Sequence, residues 1–74
     1  MKHARPDYDR FQDPTDKIPA DEPVMLFRGQ DKYAADTLDY YARLVDHNNP
    51  EMASVVRNHA ALMRAWPTHK EPDL

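Results

Sequence analysis

The stretch DKYAADTLDYYARLVDHNNPEMASVVRNHAALMRAWP, residues 31–67, decides the fold. Ala34, Leu38, Tyr41 and Val45 recur at i, i+4, i+7 and i+11, and Tyr33, Tyr40 and Leu44 widen that stripe. Asp36, Asp39, Arg43 and Asp46 take the other side, so the period is that of an amphipathic helix. Asp31 can cap it, and the spacing predicts a helix over 32–47. His47-Asn48-Asn49-Pro50 then reads as a turn. Asn49 is a natural N-cap, Pro50 suits the first helical position, and Glu51 sits beside the positive helix end. A second helix is predicted over 50–66, stopped by Pro67, with Met52, Val55, Val56, His59, Leu62, Met63 and Trp66 as its apolar stripe. So short a link predicts an antiparallel helical hairpin.

Outward from the hairpin the character changes. Residues 1–23 carry Pro6, Pro14, Pro19 and Pro23 among mixed charges. Proline fixes its own φ and pushes its predecessor toward extended geometry, so an extended arm is expected over 1–21. Tyr8, Phe11 and Ile18 are spaced like anchors on a segment laid across a surface. Asp21 and Pro23 form a helix-start signal before the apolar run Val24-Met25-Leu26-Phe27, which Gly29 stops. Four apolar residues fit a short helix or a short strand over about 22–28; the cap favours one or two helical turns. The expected fold is all-α, a single small domain with its helical core over 22–66 and a C-terminal tail over 67–74.

Size and composition limit the function classes. A chain of 74 residues without cysteine has neither disulfides nor thiolate metal sites, and such domains commonly need oligomerisation for stability. A homo-oligomer is expected, with a dimer the simplest form. No stretch reaches the roughly 18 apolar residues of a membrane span, and Met1-Lys2-His3-Ala4-Arg5 lacks a signal peptide's apolar run. A cytoplasmic protein without membrane contact is the expectation. The net charge of −3 argues against DNA binding, and sequence-specific DNA recognition is not expected. Yet residues 52–70 contain Arg57, Arg64 and Lys70 and no carboxylate.

Candidate binding residues follow from that stretch and its neighbours. Arg57 and Arg64 lie seven apart, on one helical face beside Ala53, Ala60 and Ala61, and guanidinium forks suit phosphate or carboxylate. Pairing with Asp36 or Asp39 of the first helix explains the same spacing. Arg28 and Gln30 flank Gly29 ahead of a helix start, a place where anions bind. His59 inside an apolar stripe reads as a core or interface histidine or as a ligand contact. Tyr40 and Trp66 offer faces for stacking on a base, though at helical spacing aromatic residues also build cores. The four histidines show no metal-ligand spacing, and glycine-rich phosphate loops, nucleophile elbows and paired-carboxylate signatures are absent, so neither an enzyme nor a cofactor is expected.

The runs Tyr8-Asp9-Arg10-Phe11-Gln12-Asp13-Pro14, Lys17-Ile18-Pro19-Ala20-Asp21-Glu22-Pro23-Val24 and Leu26-Phe27-Arg28-Gly29-Gln30-Asp31 resemble small uncharacterised accessory proteins of tailed bacteriophages and prophages. Ala65-Trp66-Pro67 and the ending Pro72-Asp73-Leu74 are similar to the same group. The resemblance covers most of the chain and implies context, with no established activity. Small phage proteins of this kind block a host protein, or sequester a nucleotide immune signal as compact helical oligomers. The first expectation is therefore a counter-defence sponge holding a cyclic nucleotide or related anionic molecule between subunits, in the host cell cytoplasm. An inhibitor or adaptor acting on a host protein is the alternative, and a virion-assembly protein the third.

Overall fold

The computed structural model describes residues 1–5 and 12–73; the expected anchors Tyr8 and Phe11 lie outside them. The order is β1 (Lys2–His3), β2 (Pro23–Val24), α1 (Ala34–Asp46) and α2 (Pro50–Ala65), a mostly helical chain with one very small sheet.

The helices pack against each other through alanine. Ala34, Ala35 and Ala42 of α1 and Ala53 and Ala60 of α2 are the buried hydrophobic residues among those described. Ala35 and Ala42 are seven apart, as are Ala53 and Ala60, so each pair returns to the same helical face two turns on. Side chains this small let helix axes approach to the near end of the usual 8–10 Å range. Leu38, Val45, Val56 and Met63 are half-buried beside this seam. The expected stripes are therefore offset from the observed contact. Tyr41, Met52, Val55, His59, Leu62 and Trp66 stand exposed on one flank, and Ala53 and Ala60, expected to leave the arginine face open, are buried.

Ends and turns follow local chemistry. Asn49 Oδ1 accepts the Met52 N–H at 3.1 Å, the anticipated cap, with Pro50 at the first helical position. Pro67 holds Trp66 at φ −60° and ψ 133°, which ends α2 at Ala65. α1 starts at Ala34, two residues later than expected, because Asp31 Oδ1 accepts the Tyr33 N–H at 2.8 Å and the Asp31 carbonyl accepts from Ala34. Asp31 thus closes a turn ahead of the helix. In the arm, the Asp13 carboxylate accepts from the N–H groups of Lys17 and Ile18. Asp16 in that turn has φ 51°, a left-handed conformation that aspartate tolerates better than most residues.

Two expectations need correction. The favoured helical turn over Val24–Phe27 does not form. Pro23–Val24 pairs in parallel with Lys2–His3, and the N–H groups of Lys2 and Ala4 donate to the carbonyls of Glu22 and Val24 at 2.6 and 3.0 Å. Those carbonyls face a partner strand only when the segment is extended, so the long-range pairing overrides the local cap signal. The fold is for that reason not purely α. The C-terminal segment also folds back instead of trailing: Lys32 N–H donates to the Lys70 carbonyl at 3.0 Å and Lys70 N–H to the Gln30 carbonyl at 2.8 Å. His69 Nε2 lies 3.0 Å from the Met63 carbonyl, which can only accept, so the ring carries its proton there and adds a second donor to a carbonyl that already accepts the Trp66 N–H at the end of α2. No helix among the described residues is long and apolar enough to cross a membrane.

Candidate functional site

The segment between β2 and α1 runs alongside the C-terminal half of α2. Gly29 makes the close approach: a Cβ built there would lie 3.6 Å from Trp66 Cβ and 3.8 Å from Met63 Cα. That is ordinary contact, so the glycine is compatible with alanine and is not forced by space. Leu26, Phe27, Arg28 and Gln30 on one side and His59, Leu62, Met63 and Trp66 on the other enclose a shallow groove of about 390 Å³. Four residues singled out for recognition, Arg28, Gln30, His59 and Trp66, thus meet in one place although 38 positions separate Arg28 from Trp66. Among the described residues the side chains of Arg28, Gln30 and His59 have no hydrogen-bond or ion-pair partner. Their polar ends are open to a ligand.

Arg57, Arg64 and Tyr40 sit elsewhere. Arg57 Nη2 donates to Asp46 Oδ2 at 3.2 Å, and Arg64 Nη2 donates to Asp36 Oδ1 at 2.8 Å and also to Asp39. The hydrogen bond that Arg64 donates to Asp39, then the one to Asp36, raises the Arg64 pKa above its already high ordinary value, so Arg64 is a permanent cation. Two carboxylates balance that charge. A phosphate reaching Arg64 has to displace both and then meets their repulsion, an unfavourable exchange at an exposed position. Tyr40 lies with Arg43 4.9 Å from its ring centre, in a shallow depression shared with Asp36, Asp39 and Arg57. The spacing of Arg57 and Arg64 is accounted for by the acids across the helix contact.

A second cleft, of about 430 Å³, was not visible in the sequence. Met25, Leu26 and Phe27 meet Arg5, Lys70 and Pro72 there, and Arg28 and Gln30 line it as well as the groove. It exists because the C-terminal segment returns to the Gln30–Lys32 strand-like stretch, a pairing with no local signature. Arg5 Nη1 donates to the Asp73 carbonyl at 2.7 Å and joins the two ends of the chain across it.

The returning segment is fastened at Glu71. Its carboxylate pairs with Lys32 Nζ and accepts the Tyr33 hydroxyl at 2.7 and 2.8 Å from its two oxygens. The hydrogen bond from Lys32, then that from Tyr33, holds the Glu71 carboxyl below the ordinary range. The same contact with Glu71 raises Lys32 and Tyr33, so the triad is Lys32⁺, neutral Tyr33 and Glu71⁻ around neutrality. These groups are solvent-exposed and arrange the segment more than they stabilise the fold. No group of three or more histidine or acidic residues suited to a metal occurs among the described residues. In comparisons with known proteins, no family model, no curated protein and no solved structure matches the chain.

Proposed function

We propose that this chain is a non-enzymatic binding protein that captures a small anionic molecule bearing an aromatic ring, of the cyclic-nucleotide type, in the groove between Leu26–Gln30 and α2. One observation carries it: the unpartnered Arg28 guanidinium and the exposed Trp66 ring line a single groove, with Gln30 and His59 adding open hydrogen-bonding groups. Arg28 supplies forked donors for a phosphate, and Trp66 supplies a face for the base. Arg28 thereby takes the anion-binding role that spacing alone gave to Arg57 and Arg64, whose ends are occupied by carboxylates. We take the helices to be an antiparallel hairpin, which the pairings of Arg57 with Asp46 and of Arg64 with Asp36 and Asp39 support: the partner on α1 steps back as α2 advances. In the phage context suggested by the sequence, such a protein acts as a counter-defence sponge in the host cytoplasm, as a homo-oligomer.

Trp66 is the sole tryptophan, so its fluorescence reports on the groove alone. Titration with cyclic mono- and dinucleotides should change the emission saturably. Arg28→Ala should weaken binding about tenfold to a hundredfold, the range for losing hydrogen bonds from a charged group. A flat titration with every nucleotide sinks the proposal.

A second reading has its own support. In the 430 Å³ cleft, Met25, Leu26 and Phe27 lie beside Arg28 and Lys70, which suits an apolar side chain flanked by an acid on a host protein. Met25→Asp should then abolish capture of that protein while leaving nucleotide titrations unchanged.

A further inference from the structure

The two flanks of the helix pair differ sharply in character. One carries the arginine–aspartate pairs between α1 and α2. On the other, the 3.6-residue period brings up Thr37, Tyr41 and Leu44 of α1 and Met52, Val55 and Leu62 of α2. None of these six is charged. Leu62 is 67 % exposed, Val55 63 % and Leu44 59 %, whereas no large side chain anywhere among the described residues is fully buried. Larger apolar side chains are ordinarily the ones inside a folded domain, and here alanine has taken that place.

The surface area says how much is left to cover. A folded monomer of this mass exposes about 4,700 Å² by the usual scaling. This chain exposes 6090 Å². The excess, about 1,400 Å², covers the arms as well as the helix pair and so sets an upper bound on what the flank adds; a standard interface takes roughly 800 Å² from each partner. The Cα radius of gyration, 13.7 Å, is likewise larger than the roughly 11 Å of a compact chain of this length.

We infer that the Tyr41–Leu44–Met52–Val55–Leu62 flank is the interface on which a second copy of this chain packs, two helix pairs stacking face to face about a two-fold axis into a four-helix arrangement. A second copy fits for two reasons beyond area. The flank carries no aspartate, lysine or arginine, and besides Tyr41 its titratable groups are His59 and, at the start of α2, Glu51, so stacking it on itself brings few like charges together despite a net charge of −3 per chain. A two-fold contact also needs only one patch, complementary to itself, and an apolar flank of staggered branched side chains provides it. Leu62 borders both the flank and the nucleotide groove, whereas Leu44 and Val55 do not line the groove, so substitutions at Leu44 and Val55 test the pairing apart from the proposed ligand.

Sedimentation equilibrium of the full chain from about 1 to 200 µM tests this, a span set around the micromolar range of ordinary association. A dimer of twice the 8.7 kDa chain mass is expected. Leu44→Asp and Val55→Asp should each lower its association constant at least a hundredfold, and Ser54→Asp on the opposite side should leave it unchanged. Wild-type melting temperature should rise with protein concentration, a readout that survives if the aspartate variants do not fold alone. A monomer throughout, with a concentration-independent melting temperature, overturns the inference and leaves the flank to another partner. A trimer or larger assembly overturns the two-fold pairing, and a dimer weakened equally by Ser54→Asp overturns the choice of face.

Discussion

The Tyr33 hydroxyl points at both carboxylate oxygens of Glu71, 2.7 and 2.8 Å away, across 38 residues of sequence. Tyr33 immediately precedes α1 and Glu71 belongs to the returning segment, so this contact fastens the C-terminal end against the start of a helix. Lys32 closes the triad from the preceding position.

The triad sets a pH window. Glu71 titrates below its unfolded value, so its contribution is present above the ordinary glutamate range, near 4.3, and fades as pH falls through the lowered folded value. Lys32 and Tyr33 titrate above their unfolded values, so their contributions are present below about pH 10 and fade as pH rises through the raised ones. NMR titration of the Glu71 and Tyr33 side chains should show both limits, with helical circular dichroism steady between them. A Glu71 carboxyl titrating at or above the ordinary glutamate value would contradict the pairing.

Removing either partner of that contact should free the segment without melting the helices. In Glu71→Gln and Tyr33→Phe, the amides of Lys32 and Lys70, which carry the backbone pairing, should exchange with solvent several-fold faster. Amides at the centres of α1 and α2 should be unaffected.

The alanine seam makes a sharper demand. Ala60→Leu inserts a branched side chain where the helices meet and should cost about 1–3 kcal/mol in denaturant unfolding. Ala61→Leu, one position away and exposed, should stay within about 0.5 kcal/mol. Equal effects would mean that the seam lies elsewhere.

Arg64 serves two carboxylates and Arg57 one. Arg64→Ala leaves Asp36 and Asp39 repelling each other and should lower the melting temperature more than Arg57→Ala in low salt. At 1 M salt, where screening acts over about 3 Å, the difference should largely vanish.

Asn49→Ala removes the only side-chain hydrogen bond made by an N-cap residue of either helix and should cost about 1 kcal/mol.

The helices were legible in the sequence because their signals are local: Asn49-Pro50 starts α2 and Pro67 ends it. The face that each helix buries was not, because a hydrophobic stripe names its largest residues, whereas close packing selected the smallest. Ala42 and Ala53 carry no weight in a periodicity reading until the helices are seen to touch. Arg64 was legible in both of its readings, and the positions of Asp36 and Asp39 decided between them. The small sheet escaped because Lys2–His3 meets Pro23–Val24 across some twenty residues, and no two-residue strand has a pattern. Of the candidate site, Arg28, Gln30, His59 and Trp66 converge as a set, while Arg57, Arg64 and Tyr40 lie apart from it. The second cleft depends on the return of residues 67–73, which only tertiary pairing reveals.

The most direct test of ligand capture is native mass spectrometry of the full chain, alone and with a panel of cyclic mono- and dinucleotides. A defined oligomer that gains integral ligand masses, with Arg28→Ala keeping the oligomer and losing the gain, is the predicted result. An oligomer that gains no mass from any nucleotide, or gains it equally in Arg28→Ala, would contradict binding at the Arg28–Trp66 groove.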